Sequence, residues 1–222
     1  MSQSSSHGEQ RSPDFHVAHH FDSADQQFDA GRMGIWIFLV TEVLFFGGLF
    51  CAFAIFRSWY FHGFVEANHH LDVKLGALNT LVLISSSLTM ALAVRGAQTN
   101  NKSLTTALLL VTLACAGTFL CVKYVEYGHK FHEGLLPGKY FTAEGFHSPG
   151  ADIFFAVYFM MTGVHGVHVV IGMGLITWVL IKNIKGEFSQ RYYAPLEGVG
   201  LYWHLVDLVW IYLFPLLYLV GN

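Results

Sequence analysis

The chain has 222 residues, 54% hydrophobic and only 12% charged, with a formal net charge of -3 at pH 7. A soluble domain carries about twice that charged fraction, and so small a net charge gives no footing for nucleic acid or a strongly basic ligand. Twenty Phe, ten Tyr and five Trp make the aromatic load that membrane proteins place at the lipid interface.

Residues 1–32 are rich in Ser, Gln, Asp and His. They read as a polar, largely mobile N-terminal tail able to pack on a partner. No short apolar stretch before a cleavage site marks a signal peptide. Five apolar runs follow, at about 33–60, 74–96, 103–128, 151–181 and 197–220, each meeting the roughly 20 residues needed to cross a bilayer. Continuous runs, rather than period-2 alternation, predict helices instead of a barrel. The expected fold is therefore an all-α membrane protein, a five-helix transmembrane bundle over residues 33–222.

The first run carries Glu42. A carboxylate about two turns into the membrane is protonated, paired across helices, or bound to a headgroup or water. The third run ends with Lys123 and Glu126, three residues apart on one helix face, where an ion pair is the simplest reading. The loop of about 129–150, with Gly134, Pro137, Gly138, Gly145, Pro149 and Gly150, is long enough to require ordering against something. The fourth run is long enough to tilt or to pass the headgroups. It holds His165 and His168, again at i and i+3.

The fifth run holds His204 and Asp207 at the same spacing, flanked by Trp203 and Trp210. This pair reads as an interhelical hydrogen-bond clamp. Cys51, Cys115 and Cys121 lack ligand-like spacing and read as buried, inert thiols. The pairs Gly47-Gly48, Ala114 with Gly117, Gly163 with Gly166, and Gly172 with Gly174 suit close helix approach.

An independent membrane haem or metal protein using His165, His168 and His204 is one alternative. Its geometry is poor: on antiparallel helices His168 and His204 differ in depth by roughly 9 Å, and two histidines at i and i+3 cannot be opposite axial ligands. A transporter fits less well, since no inverted halves or broken helices are visible. Arg11, Arg32, Arg95, Lys102, Lys182, Lys185 and Arg191 fall on one side of the bilayer. Arg57, Lys74, Lys130 and Lys139 fall on the other, with Lys123 near its end of the third span. That bias predicts a cytoplasmic N-terminus and an external C-terminus.

Several segments resemble subunit III of the haem–copper oxidases, the cytochrome c oxidase subunit 3 family. Trp36-Ile37-Phe38 with Thr41-Glu42-Val43-Leu44-Phe45-Phe46 is similar to W-x-F…S-E-V-x-F-F. Leu78-Asn79-Thr80 with Ser85-Ser86-Ser87 is similar to L-N-T…S. Val125-Glu126-Tyr127 is similar to S-E-Y, with Val125 in place of a small polar residue. Thr162-Gly163-Val164-His165-Gly166-Val167-His168-Val169 is similar to T-G-F-H-G-L-H-V, and Tyr202-Trp203-His204-Leu205-Val206-Asp207 to Y-W-H-F-V-D.

The resemblance is to the five-helix bacterial form, which lacks the two leading spans and leaves their cleft open or filled by another subunit. It implies a non-redox accessory subunit of a proton-pumping terminal oxidase in the bacterial inner membrane. That subunit packs on catalytic subunit I, binds structural phospholipid and supports proton uptake and oxygen access. Haem and copper are then expected in partner subunits, with no cofactor in this chain. Glu42 falls on the family's lipid-cleft carboxylate and Lys182 on a basic position that contacts a lipid phosphate. Lys123, Glu126, His165, His168, Glu197, His204 and Asp207 correspond to structural polar residues of the bundle. Quinol oxidase subunit III and a nitric-oxide-reductase accessory subunit share the pattern; Thr41-Glu42-Val43 leans toward the cytochrome c group, since quinol-type members often carry Asp there.

Overall fold

A computed structural model describes residues 23–143, 146–188 and 193–219. Residues 1–22 of the tail, Arg11, Gly145 and Arg191 lie outside the described residues. Helix α1 spans Ala24–Trp59, α2 Phe61–Asn68, α3 Val73–Gln98, α4 Lys102–His132, α5 Ala151–Lys185 and α6 Ala194–Phe214. Five of them are long and apolar enough to cross a membrane, with α6 extended by a wide turn to Leu219. The expected all-α five-span architecture is what forms, and no named strand occurs among the described residues; Leu135 and Phe141 make one isolated bridge.

Helix α1 begins well before the apolar run because helix and hydropathy start at different places. Ser23 Oγ accepts from the Gln26 N–H at 3.2 Å, an N-cap, and the polar turns that follow are helical before they become hydrophobic. The chain divides into two compact units after Phe38. The first, within the described residues, is the opening of α1, with Met33, Trp36, Ile37 and Phe38 exposed. The second holds everything else.

In that second unit α3 packs on α4 and α6, and α5 packs on α4 and α6. The α3–α4 hairpin is tight: Asn100 takes a left-handed conformation (φ 57°), and Asn101 caps α4 by accepting from Leu104 N–H at 3.1 Å. Asp72 caps α3 in the same way, accepting from Lys74 and Leu75 at 2.9 and 3.2 Å. From Leu39 onward, α1 buries a narrow stripe, Leu39, Phe46 and Phe53, at seven-residue intervals. Phe53 meets Phe64 of α2 with ring centres 5.5 Å apart.

Pro215 has no N–H to give back to α6, and the helix widens into a π turn over Pro215–Leu219. Asn68 of α2 donates to the Leu217 carbonyl there. Many hydroxyls in the spans bond their own helix. Thr80, Ser85, Thr106, Thr112, Thr118, Thr162 and Thr177 each donate to the carbonyl four residues back.

The glycine pattern differs from expectation. Gly172 does sit at a close approach, where an added Cβ would lie 2.8 Å from the Trp203 ring. Gly47, Gly48, Gly117, Gly166 and Gly174 have nothing within 4 Å of that position, so they face outward instead of into a helix pair of this chain. The thiols also differ: Cys51 and Cys121 are exposed and Cys115 half-buried. At span depth an outward residue meets hydrocarbon, so an apolar segment does not report which face is inside.

The described residues of the 133–150 connection pack against α2 and α5. Lys130 Nζ donates to the His70 carbonyl, and Phe146 lies 5.0 Å from the His70 ring and 6.1 Å from Phe155. The Glu66 carboxylate accepts from the backbone N–H groups of His147 and Ser148, both at 2.9 Å. The His147 N–H lowers the Glu66 pKa most; burial opposes it, and the Ser148 N–H adds to the lowering from the ordinary 4.5. A carboxyl depressed on folding holds its tie in full above the unfolded value and loses it as pH falls through the folded one. Amide protection at His147 and Ser148, corrected for intrinsic exchange, is therefore expected to drop only below the ordinary glutamate range. In Glu66→Gln it is expected to be low at every pH.

Candidate functional site

Three groups of polar side chains within the spans hold Lys123 with Glu126, His204 with Asp207, and Glu42 with His168. The deepest in charge joins α4, α5 and the π turn. Lys123 Nζ donates to Glu126 Oε2 at 3.0 Å, to Tyr158 Oη at 3.2 Å and to Tyr218 Oη at 2.9 Å. Tyr158 donates to Glu126 Oε1 at 2.7 Å, and Tyr218 donates to the same oxygen. Each donor of the ammonium and both carboxylate oxygens are thus engaged. The Trp210 ring centre lies 4.9 Å from Nζ and that of Tyr158 5.2 Å, so aromatic faces supply the rest of the cation's surroundings. The expected Lys123–Glu126 pair is present; sequence reasoning missed Tyr158 and Tyr218, although a tyrosine in an apolar span needs a partner for its hydroxyl.

The second group is the α3–α6 clamp. His204 Nδ1 and Ser87 Oγ are 2.7 Å apart. Trp203 Nε1 donates to Ser86 Oγ at 3.1 Å, and Ser86 Oγ lies 3.5 Å from Asp207 Oδ2. Trp210 Nε1 donates to Thr80 at 3.1 Å. His204 thus engages another helix, whereas Asp207 meets α3 only through this long approach to Ser86: the Ser86 hydroxyl donates to the Leu83 carbonyl at 2.7 Å, and Asp207 Oδ1 has no hydrogen-bond partner among the described residues.

The third group faces outward. His168 Nε2 lies 3.0 Å from Glu42 Oε2, and both side chains are 17% exposed. His168 Nδ1 is 2.8 Å from the Val164 carbonyl. A carbonyl only accepts, so Nδ1 carries hydrogen; the Glu42–Nε2 contact then contains one proton, on whichever atom. Phe46 packs on the His168 ring with centres 5.0 Å apart. The arrangement ties α1 to α5 through one hydrogen bond between a carboxyl and an imidazole. The sequence displayed Glu42 and His168 separately and did not join them.

His165 is fully buried, between Phe119 and Trp210 with ring centres 5.5 and 5.3 Å away. Neither of its nitrogens has a hydrogen-bond partner among the described residues. His165, His168 and His204 therefore do not converge, and no group of three His, Cys, Asp or Glu side chains suited to a metal occurs among the described residues. Lys182 pairs with Glu187 at 2.7 Å and lies over Trp178, 5.2 Å from the ring centre. Glu197 stands half-buried in the first turn of α6.

The sequence profile of the family described as Cytochrome c oxidase subunit III matches residues 15–222. The chain belongs to that family. Among curated relatives of subunit III type, Cytochrome c oxidase subunit 3 of Synechocystis is 33% identical over 193 residues, 86% of this chain and 76% of the relative. Quinol oxidase subunit 3 of Bacillus subtilis is 28% identical over 211 residues, 93% of this chain and 97% of the relative. Heme-copper oxidase subunit I+III of Aeropyrum pernix is 31% identical over 198 residues, 86% of this chain but only 23% of that relative's length. The chain is thus a multi-pass membrane subunit III of a haem–copper oxidase, an oxidoreductase complex, and both donor types occur among its relatives.

Proposed function

We propose that this subunit III is a non-redox accessory subunit of a proton-pumping terminal oxidase, packed on the catalytic subunit I that holds haem and copper. The observation that carries the reading is the disposition of its intramembrane histidines. His204 is engaged by Ser87, His168 by Glu42, and His165 is enclosed by rings. Two of them tie helices together and the third is walled in by rings, so the three do not meet at a common centre. The relative named subunit I+III supports subunit I as the neighbour. Thr41-Glu42-Val43 supports cytochrome c as the donor, and the lysine and arginine bias supports a cytoplasmic N-terminus in a bacterial plasma membrane.

Glu42 and His168 face the lipid side and serve proton uptake or oxygen access. Lys182 shares its ammonium between Glu187 and a lipid phosphate at the interface. Purification of the tagged chain from its own membranes in mild detergent tests the reading. A larger haem-bearing subunit is expected in stoichiometric amount, its complex oxidising reduced cytochrome c faster than quinol. In the same preparation Glu42→Gln is expected to leave the redox spectra intact while shortening catalytic lifetime several-fold. Stoichiometric haem or copper on the separated chain would overturn the accessory role; unchanged lifetime and lipid content in Glu42→Gln would overturn the role of that residue.

A further inference from the structure

We propose that the groove between the start of α4 and the end of α5 binds the phosphate of an anionic phospholipid, with Lys102 as its cationic contact and Ser103 as a hydrogen-bond donor. The groove is an open trough of about 480 Å³ along the outer surface of the two helices. It lies where two spans end, at headgroup depth.

Local structure fixes its shape. Asn183, buried on α5, donates to the Lys102 carbonyl at 3.1 Å and to Thr106 Oγ1 at 2.8 Å, holding the end of one helix to the first turn of the other. The turn after α5 is made by Gly186 at φ 76°. A Cβ there would lie 2.7 Å from Lys102 Nζ, which places the ammonium directly over this left-handed turn. It rests at the C-terminal, negative end of α5.

Charge names the occupant. Lys182, on the same helix end, is answered by Glu187. Lys102 and Lys185 have no carboxylate partner among the described residues. The mouth of the groove is thus cationic, with an exposed hydroxyl at Ser103. Toward the bilayer centre its walls turn apolar at Ala107, Leu110 (52% exposed) and Ile184 (67% exposed). A cation and hydroxyl at headgroup level above an apolar trough match a phosphate with an acyl chain beneath it, and basic pockets between spans are known to hold anionic headgroups. The site is separate from Lys182 and Glu42. It lies wholly in this chain, so it does not depend on which donor or neighbour the subunit serves.

The subunit, in whatever complex it brings from the membrane, is stripped of lipid in detergent and titrated with phosphatidylglycerol, phosphatidylcholine or inorganic phosphate. Bound lipid is counted by native mass spectrometry. Wild type and Lys102→Arg are expected to hold one more phosphatidylglycerol than Lys102→Gln, whose affinity for that lipid falls about fivefold. Ala107→Trp, which fills the trough and keeps the charge, is expected to lose the same lipid. Phosphatidylcholine is expected not to fill the site, nor inorganic phosphate to displace the lipid. Equal phosphatidylglycerol counts in wild type and Lys102→Gln, equal filling by phosphatidylcholine, or full displacement by inorganic phosphate would each overturn the proposal.

Discussion

Lys123→Met is expected to cost the subunit about 3–5 kcal/mol, the penalty for leaving a buried charge without its partner. The mutation removes the ammonium that Glu126, Tyr158 and Tyr218 share, and the Glu126 carboxylate stays 2% exposed. Glu126→Leu alone is expected to be similarly harmful, since it strands the lysine. The double variant Lys123→Met, Glu126→Leu is expected to recover most of the loss, because an apolar pair of similar volume needs no hydration. Thermal denaturation of the purified complex, followed through dissociation of this subunit, measures all three. A double variant no better than the worse single one would mean that the network acts through the tyrosine contacts, and the ion-pair account would fall.

Gly63→Ala gives the second large effect, and its sign is the diagnostic. In a helix interior, alanine for glycine ordinarily stabilises by roughly 0.5–1 kcal/mol. At Gly63 the new Cβ would stand 2.3 Å from the Pro149 carbonyl oxygen and 3.1 Å from the Ala151 nitrogen. Those are backbone atoms and cannot swing aside. Overpacking of this kind costs about 1–3 kcal/mol, so the substitution is expected to destabilise despite better propensity and to loosen the Glu66 hold on His147 and Ser148. Gly117→Ala on α4 is the control: nothing lies within 4 Å of its Cβ position, and it is expected to be neutral or stabilising. Equal behaviour of the two variants would refute the close contact of α2 with the start of α5.

The spans were legible because hydrocarbon allows few backbone solutions, and a helix needs only its own residues to satisfy them. Lys123 with Glu126 was legible for the same reason, as neighbours one turn apart. What lay hidden depended on long-range placement. Glu42 and His168 are 126 residues apart, and Ser87 and His204 117, so no local spacing joins them. The short helix α2 is too brief to show in an apolar count. The outward position of Cys51 and of Gly117 was also unreadable, since lipid and core accept the same side chains. Hydropathy reports depth in the membrane and is silent about azimuth.

The hydroxyls that close onto their own helix bear on how the molecule is made. Thr80, Thr112 and Thr162 arrive in the bilayer with a bond already formed to the preceding turn. The hydroxyls of these three spans can therefore leave the aqueous phase already bonded, before any neighbour is present. Cross-helix bonds, such as Trp210 to Thr80 and Tyr127 to Thr162, are added by lateral docking, each using oxygen lone pairs kept in reserve. Translation order and assembly order need not coincide. The charged knot is the exception, because Lys123 and Glu126 enter with only each other, and the tyrosine of the last turn is the final piece to be synthesised and seated.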